Sequence, residues 1–149
     1  MTQATKPQLD AMVVADNLRP TLLRLGNALR RERIAGVSPQ QVGLLVSIKY
    51  RPGVTVGDLA ADDKVSTAAM SKRISRLERD GLVARTQSEA DRRCVGLTLT
   101  EEGQRTLRRV RSRRTAWLAS RLSALSPDEL AAVEAAAEPL ALLLEERRA

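Results

Sequence analysis

With no histidine and a single cysteine, Cys94, in 149 residues, the side chains left to do chemistry are cations, hydroxyls and a few acids. They gather in two short stretches. "STAAMSKRISR" interleaves small hydroxyl-bearing and methyl side chains with Lys72, Arg73 and Arg76, and "SEADRRCV" sets Asp91, Arg92 and Arg93 on a polar segment between apolar, β-branched neighbours. Hydroxyls and fixed cations donate hydrogen bonds and neutralise charge, which is the chemistry of holding a polyanion. Missing histidine removes the commonest general base and the commonest metal ligand. No metal-ligand cluster, Gly-rich phosphate loop or nucleophile beside an evident base is present either, so we expect no enzyme, no cofactor and no metal. The formal charge of +7 agrees with a polyanionic partner, although charge alone does not separate nucleic acid from an anionic membrane surface.

These stretches need elements to carry them. Hydrophobic residues make up 43% and charged residues 29%, enough for a packed domain, and with Phe absent the core must come from Leu, Val, Ile, Ala and Met, which suits helices. Val14, Leu18, Leu22, Leu25 and Leu29 recur at spacings of four and three, predicting a helix over about 9–33 that Pro20 kinks or divides. Gly36 then stops it, and Ser38, Pro39 and Gln41 start a second helix that ends near Tyr50. Thr55 and Asp58 cap a short third helix, and Ser66 caps a fourth that ends at Gly81. From Leu82 to Thr98 the period changes to that of two short strands joined by the loop "SEADRR". Thr100 caps a long helix reaching about Leu125, and "LSPDEL" starts a last one with Pro139 inside it.

Helix, short helix, helix, hairpin is the order of a winged helix-turn-helix. In the fourth helix Met70, Ile74 and Leu77 share one face, and Thr67, Ala68, Ser71, Lys72 and Ser75 lie largely on another. Small side chains there let a helix sit close in the major groove. Thr67 and Ser71 suit phosphates and base edges, Ala68 a thymine methyl, and Lys72 a guanine or a phosphate. Ser66 opens this helix, Arg73 and Arg76 extend its positive charge, and Asp80 opposes it locally. A hairpin beside such a helix can lay its tip along the flanking minor groove, where a narrow A·T tract attracts an inserted arginine. Arg93 fits that role, Asp91 would orient its guanidinium, and Arg92 would meet a phosphate or solvent.

The stretch "VGDLAADDKVSTAAMSKRISRLERDGLVARTQSEADRRCVGLTLTEEG" resembles the core of the MarR family of bacterial transcriptional regulators. The matching features are the short helix, "LERDGLV" closing the recognition helix, the Asp-Arg-Arg wing, and "LTLTEEG" at the start of the next helix. The resemblance covers nearly the whole chain, most strongly residues 38–103. It implies an obligate homodimer with interleaved terminal helices, two winged lobes on successive half-sites of a palindromic double-stranded DNA operator, and Asp91 and Arg93 as the wing pair. It also implies repression by steric exclusion of polymerase, relieved by a ligand or by oxidation. The expected fold is therefore mainly α with a small β-hairpin wing. Residues 1–37 and 100–149 would be the dimerisation helices and residues 38–99 the DNA-binding lobe.

Other features draw plainer expectations. "RTLRRVRSRR" is the densest basic run, but on a helix its arginines spread around several faces and suit a solvated surface, or an ion-pairing surface between subunits with Glu134, Glu138, Glu145 and Glu146 as partners, better than DNA. Cys94 reads as a small strand residue, since peroxide-sensing members of the resembled family carry their cysteine in the first helix. A small aromatic or phenolic anion is the effector the resemblance implies, and Tyr50 and Arg51 could line its pocket, although Tyr50 could equally fill the core beside "RPG". A lone cysteine, no signal-like N-terminus and no apolar run of membrane length lead us to expect a cytoplasmic protein without a membrane partner. The competing function is a winged-helix interaction module, or a nucleic-acid binder without operator specificity.

Overall fold

The computed structural model describes residues 6–87 and 93–145. In chain order its elements are α1 (Lys6–Arg31), α2 (Pro39–Tyr50), α3 (Val56–Asp62), α4 (Thr67–Arg79), β1 (Val83–Gln87), β2 (Val95–Leu99), α5 (Glu101–Leu122) and α6 (Pro127–Leu142). This is the expected mainly helical chain with one hairpin.

The helix starts are set locally. Ser38 Oγ accepts from the Gln41 backbone N–H at 3.2 Å while Gln41 Oε1 accepts from the Ser38 N–H at 2.8 Å, and Pro39 takes a first-turn position that needs no donor. Thr55 with Asp58 and Ser126 with Glu129 repeat this reciprocal pairing at α3 and α6. At the end of α4, Leu82 N–H bonds to Leu77 C=O at 3.0 Å and Gly81 N–H to Glu78 C=O at 2.9 Å. That pattern needs a left-handed residue between, which Gly81 supplies at φ 73°. The end of α3 has the same two bonds, Val65 to Ala60 and Lys64 to Ala61, but there the left-handed position, φ 53°, is held by Lys64.

Three expectations are corrected. Pro20 does not divide α1, which runs unbroken through it; a proline removes one hydrogen bond from a ladder of many, and 26 residues of helix absorb that. Gly36 does not stop α1, which ends at Arg31. It lies instead in a tight turn at φ 86°, between Ile34 and Val37, which form an isolated bridge. Cys94 stands exposed just before β2 rather than within it.

The core fills the space between α2, α3, α4, the hairpin and the first half of α5, with Leu45, Ile48, Leu59, Met70, Ile74, Leu77 and Leu97 fully buried. Each such side chain contributes about 1.5–3 kcal/mol relative to exposure. The outer helices contrast with this. No residue of α6 is buried, and Met12, Val13, Val14, Leu22, Leu23 and Leu25 of α1 are exposed.

Candidate nucleic-acid interface

Burial of Met70, Ile74 and Leu77 fixes the rotation of α4, and at about 100° per residue this turns Ala68, Lys72 and Ser75 to the opposite side. Ala68 and Lys72 are exposed and Ser75 half-buried; Thr67, exposed, and Ser71, half-buried, lie on the adjoining flank. These five make one continuous polar surface of short side chains around a single lysine. Ser66 is occupied as the N-cap, accepting from Ala69 N–H at 3.1 Å. Arg73 and Arg76 sit on the other flank, where they line a small cleft with Ser38, Gln40 and Gln41 at the start of α2. Arg73 also reaches Asp63 at 3.4 Å, tying α4 to the end of α3.

The hairpin is held against this helix at several points. Val83 to Gln87 pair antiparallel with Leu99 to Val95. Arg85 Nε donates to both carboxylate oxygens of Glu78, at 2.9 and 3.0 Å, joining β1 to the last turn of α4. Val54 adds a third rung, with Gly53 N–H donating to Leu97 C=O and Leu97 N–H to Val54 C=O, both at 2.9 Å. The backbones are so close that a Cβ on Gly96 would lie 2.7 Å from Gly53 Cα. Behind the hairpin, the Thr100 hydroxyl donates to Gly81 C=O at 2.6 Å and accepts from Gly103 N–H at 3.0 Å, which anchors the start of α5 to the turn after α4. Arg93 is exposed at the foot of the hairpin loop. Asp91 and Arg92 lie outside the described residues, and so does the expected Asp91–Arg93 hydrogen bond.

Tyr50 and Arg51 part company. Tyr50 is 75% exposed, so it does not fill the core; its ring borders a cleft of about 230 Å³ between α2 and α5. Arg51 does not line that cleft and forms an ion pair with Asp62 of α3. The cations there are Lys49, Arg111 and Arg114, and Arg114 Nε is buried with no hydrogen-bond partner among the described residues. Sequence reasoning missed them, although the spacing of Leu107 to Arg111 and Val110 to Arg114 places each arginine one turn beyond a buried residue of α5.

The basic run of α5 divides between two faces. Arg111 and Arg114 turn to the α2 cleft, whereas Arg105, Arg108, Arg109 and Arg113 turn to a second cleft beside the α1–α2 connection. Among the described residues its acid partners within the chain are Glu102, Glu101 and Glu32, bound to Arg105, Arg108 and Arg113; Glu146 lies outside the described residues. No helix among the described residues is long and apolar enough to cross a membrane, and no group of acids and cysteine there could hold a metal ion.

Comparison with known proteins agrees with this geometry. The MarR family profile matches residues 37–95, which include α2, α3, α4 and β1 and end at the start of β2. The chain is 31% identical over 123 residues to the HTH-type transcriptional repressor MdtR of Bacillus subtilis, covering 83% of this chain and 76% of that one. Among solved structures it resembles a MarR family protein from Bacillus stearothermophilus, with 25% identity and a TM-score of 0.69 over 95% of this chain and 99% of that one. The transcriptional regulator Tm0710 from Thermotoga maritima shares the fold at a TM-score of 0.77 and 24% identity, over 89% of this chain and 94% of that one. With the polar outer face of α4, a braced hairpin and this kinship along most of its length, the chain belongs to the MarR family of winged-helix, DNA-binding transcriptional regulators.

Proposed function

We propose that this regulator is a homodimeric repressor that binds a palindromic operator, presenting Thr67, Ala68, Ser71, Lys72 and Ser75 to the major groove and Arg93 to the flanking minor groove. Arg73 and Arg76, beside the start of α2, neutralise phosphates, with Ser66 at the helix start and Arg92 on the wing. Asp91 orients Arg93. The observation that carries this is the α4 surface itself: four short polar or methyl side chains around one lysine, beside a hairpin braced by Glu78 and Arg85. Large or apolar side chains there would bar close approach to base edges.

Residues 38–99 form the DNA-binding lobe, and residues 1–37 and 100–149 the dimer interface. What supports the interface is the apolar surface left uncovered on α1 and α6, including a groove of about 550 Å³ lined by Val14, Leu18, Leu22 and Leu143. Monomeric proteins rarely leave such a patch open. A small aromatic or phenolic anion in the α2–α5 cleft relieves repression, its ring against Tyr50 and its charge against Lys49, Arg111 and Arg114; Arg51 has no direct part in that contact.

The test compares Lys72→Ala and Arg93→Ala with the wild type on an operator duplex whose flanks are A·T-rich or G·C-rich. Arg93→Ala weakens binding and erases the flank preference at unchanged stability. Lys72→Ala weakens binding and, as a phosphate contact, lowers the slope of log K against log salt by about 1. Equal flank preference in wild type and Arg93→Ala refutes the wing role.

A further inference from the structure

The second α5 cleft has no part in the proposed operator contacts. It holds about 590 Å³ between the α1–α2 connection and one side of α5, and five guanidinium groups line it: Arg33, Arg105, Arg108, Arg109 and Arg113. No carboxylate is among its lining residues. Arginines 105, 109 and 113 repeat at one-turn intervals, so their convergence follows from helix geometry. Arg33 comes from a different element and sits beside the turn closed by the Ile34–Val37 bridge, which gives it a defined position.

The acids nearby do not neutralise this cluster. Glu102, Glu101 and Glu32 reach Arg105, Arg108 and Arg113 at 2.7, 3.5 and 3.4 Å, but the three arginine side chains stay 55–63% exposed. Pairs of that kind are worth about 0–1 kcal/mol each and exchange readily for a better ligand. Arg33 and Arg109 make no ion pair among the described residues. Five like charges lining one concavity repel one another unless an anion joins them. Guanidinium forks match phosphate oxygens in pairs, and Ser112 adds a neutral donor.

We propose that this cleft is a second anion site, separate from the recognition helix and the wing, that takes phosphate oxyanions. Two sources share that chemistry: the DNA backbone beyond the half-site, and a free polyphosphate or nucleotide. Only the first source rests on the operator assignment above.

The test is calorimetric titration of inorganic tripolyphosphate into the full chain, in wild type, in Arg33→Gln/Arg109→Gln, and in the charge-matched control Arg24→Gln/Lys64→Gln. Both cleft positions are exposed and make no ion pair among the described residues, so the double variant should fold. We expect it to lose about tenfold or more in affinity, the equivalent of one charge-assisted hydrogen bond, while the control stays close to wild type. Equal affinities in cleft variant and control mean an adventitious ion only and overturn the proposal. So does a wild type that binds no tripolyphosphate while the cleft variant shifts the monomer–dimer midpoint, because partner carboxylates would then fill the cleft. Given the calorimetric loss, the salt dependence of operator binding identifies the source. A slope reduced by about 1–2 in the cleft variant assigns the site to DNA phosphates, and an unchanged slope assigns it to a free anion. Failure of operator binding in wild type leaves the tripolyphosphate result standing, so the two readings fail separately.

Discussion

Replacing Gly103 by alanine gives a sharp test of how the hairpin is joined to α5. In an open helix this substitution is stabilising by roughly 1 kcal/mol, because alanine is the better helix former. Here an added Cβ would lie 2.1 Å from the Leu82 carbonyl oxygen and 3.1 Å from its carbon, both backbone atoms. That oxygen accepts from Thr100 N–H at 3.1 Å, and the Thr100 hydroxyl bridges Gly81 and Gly103. The helix must move away from the hairpin, at a cost of about 1–3 kcal/mol for overpacking. Weakening the Thr100 bonds adds about 1–2 kcal/mol. After subtracting the helix-propensity gain, the net loss is about 1–4 kcal/mol, or roughly 2–16 °C in Tm for a chain of this size. Thermal unfolding followed by circular dichroism, with a chemical-denaturation check on ΔG, measures it. An unchanged or raised Tm for Gly103→Ala would refute the close approach.

Lys64→Gly should act in the opposite direction. Lys64 holds a left-handed conformation at the end of α3, which costs a non-glycine residue about 1 kcal/mol, so the glycine variant should melt roughly 2–4 °C higher. A lower Tm would show that the lysine side chain compensates for its backbone. Acid should loosen α3 and α6 at their starts. Hydrogen bonds from the Thr55 hydroxyl and backbone hold the Asp58 carboxyl below its ordinary value, and those from the Ser126 backbone and hydroxyl do the same for Glu129. With a folded pKa below the unfolded one, each cap's contribution is complete above the usual carboxylate range near pH 4 and fades as pH falls through the folded value. The Tm difference between wild type and Asp58→Ala should therefore be largest at neutral pH and shrink on acidification; a constant difference would contradict the capping role.

The features legible in the sequence were those decided within four residues. Ser38, Thr55, Ser66, Thr100 and Ser126 announced five helix starts because a cap and its donor are neighbours in the chain, and Gly81 announced the end of α4 for the same reason. The five-residue surface of α4 followed from periodicity, since the buried stripe of Met70, Ile74 and Leu77 dictates what faces out. Features made by distant segments were not legible. That Gly96 and Gly103 admit Gly53 and Leu82 at close range depends on tertiary approach, and nothing local marks either glycine. Lys64 was missed because a lysine is an uncommon occupant of the left-handed position at a helix end. Tyr50 and Arg51, adjacent in sequence, were assigned together; the turn after α2 sends Arg51 to Asp62 while Tyr50 borders α5. The arginines of α5 could be placed on a helix but not sorted between two clefts, since that requires knowing where α2 and the α1–α2 connection pack.

The central claim is that this regulator recognises a DNA sequence through α4 and the wing. Its most direct test is a binding titration of the purified full chain on the DNA upstream of its own coding sequence, against a scrambled duplex of equal length, at two salt concentrations. We predict saturable binding at one dimer per site that survives competitor DNA, with a preference over the scrambled duplex of about 10³-fold or more. Equal affinity for both duplexes, falling equally steeply with salt, would contradict specific recognition of that DNA and leave binding governed by charge alone.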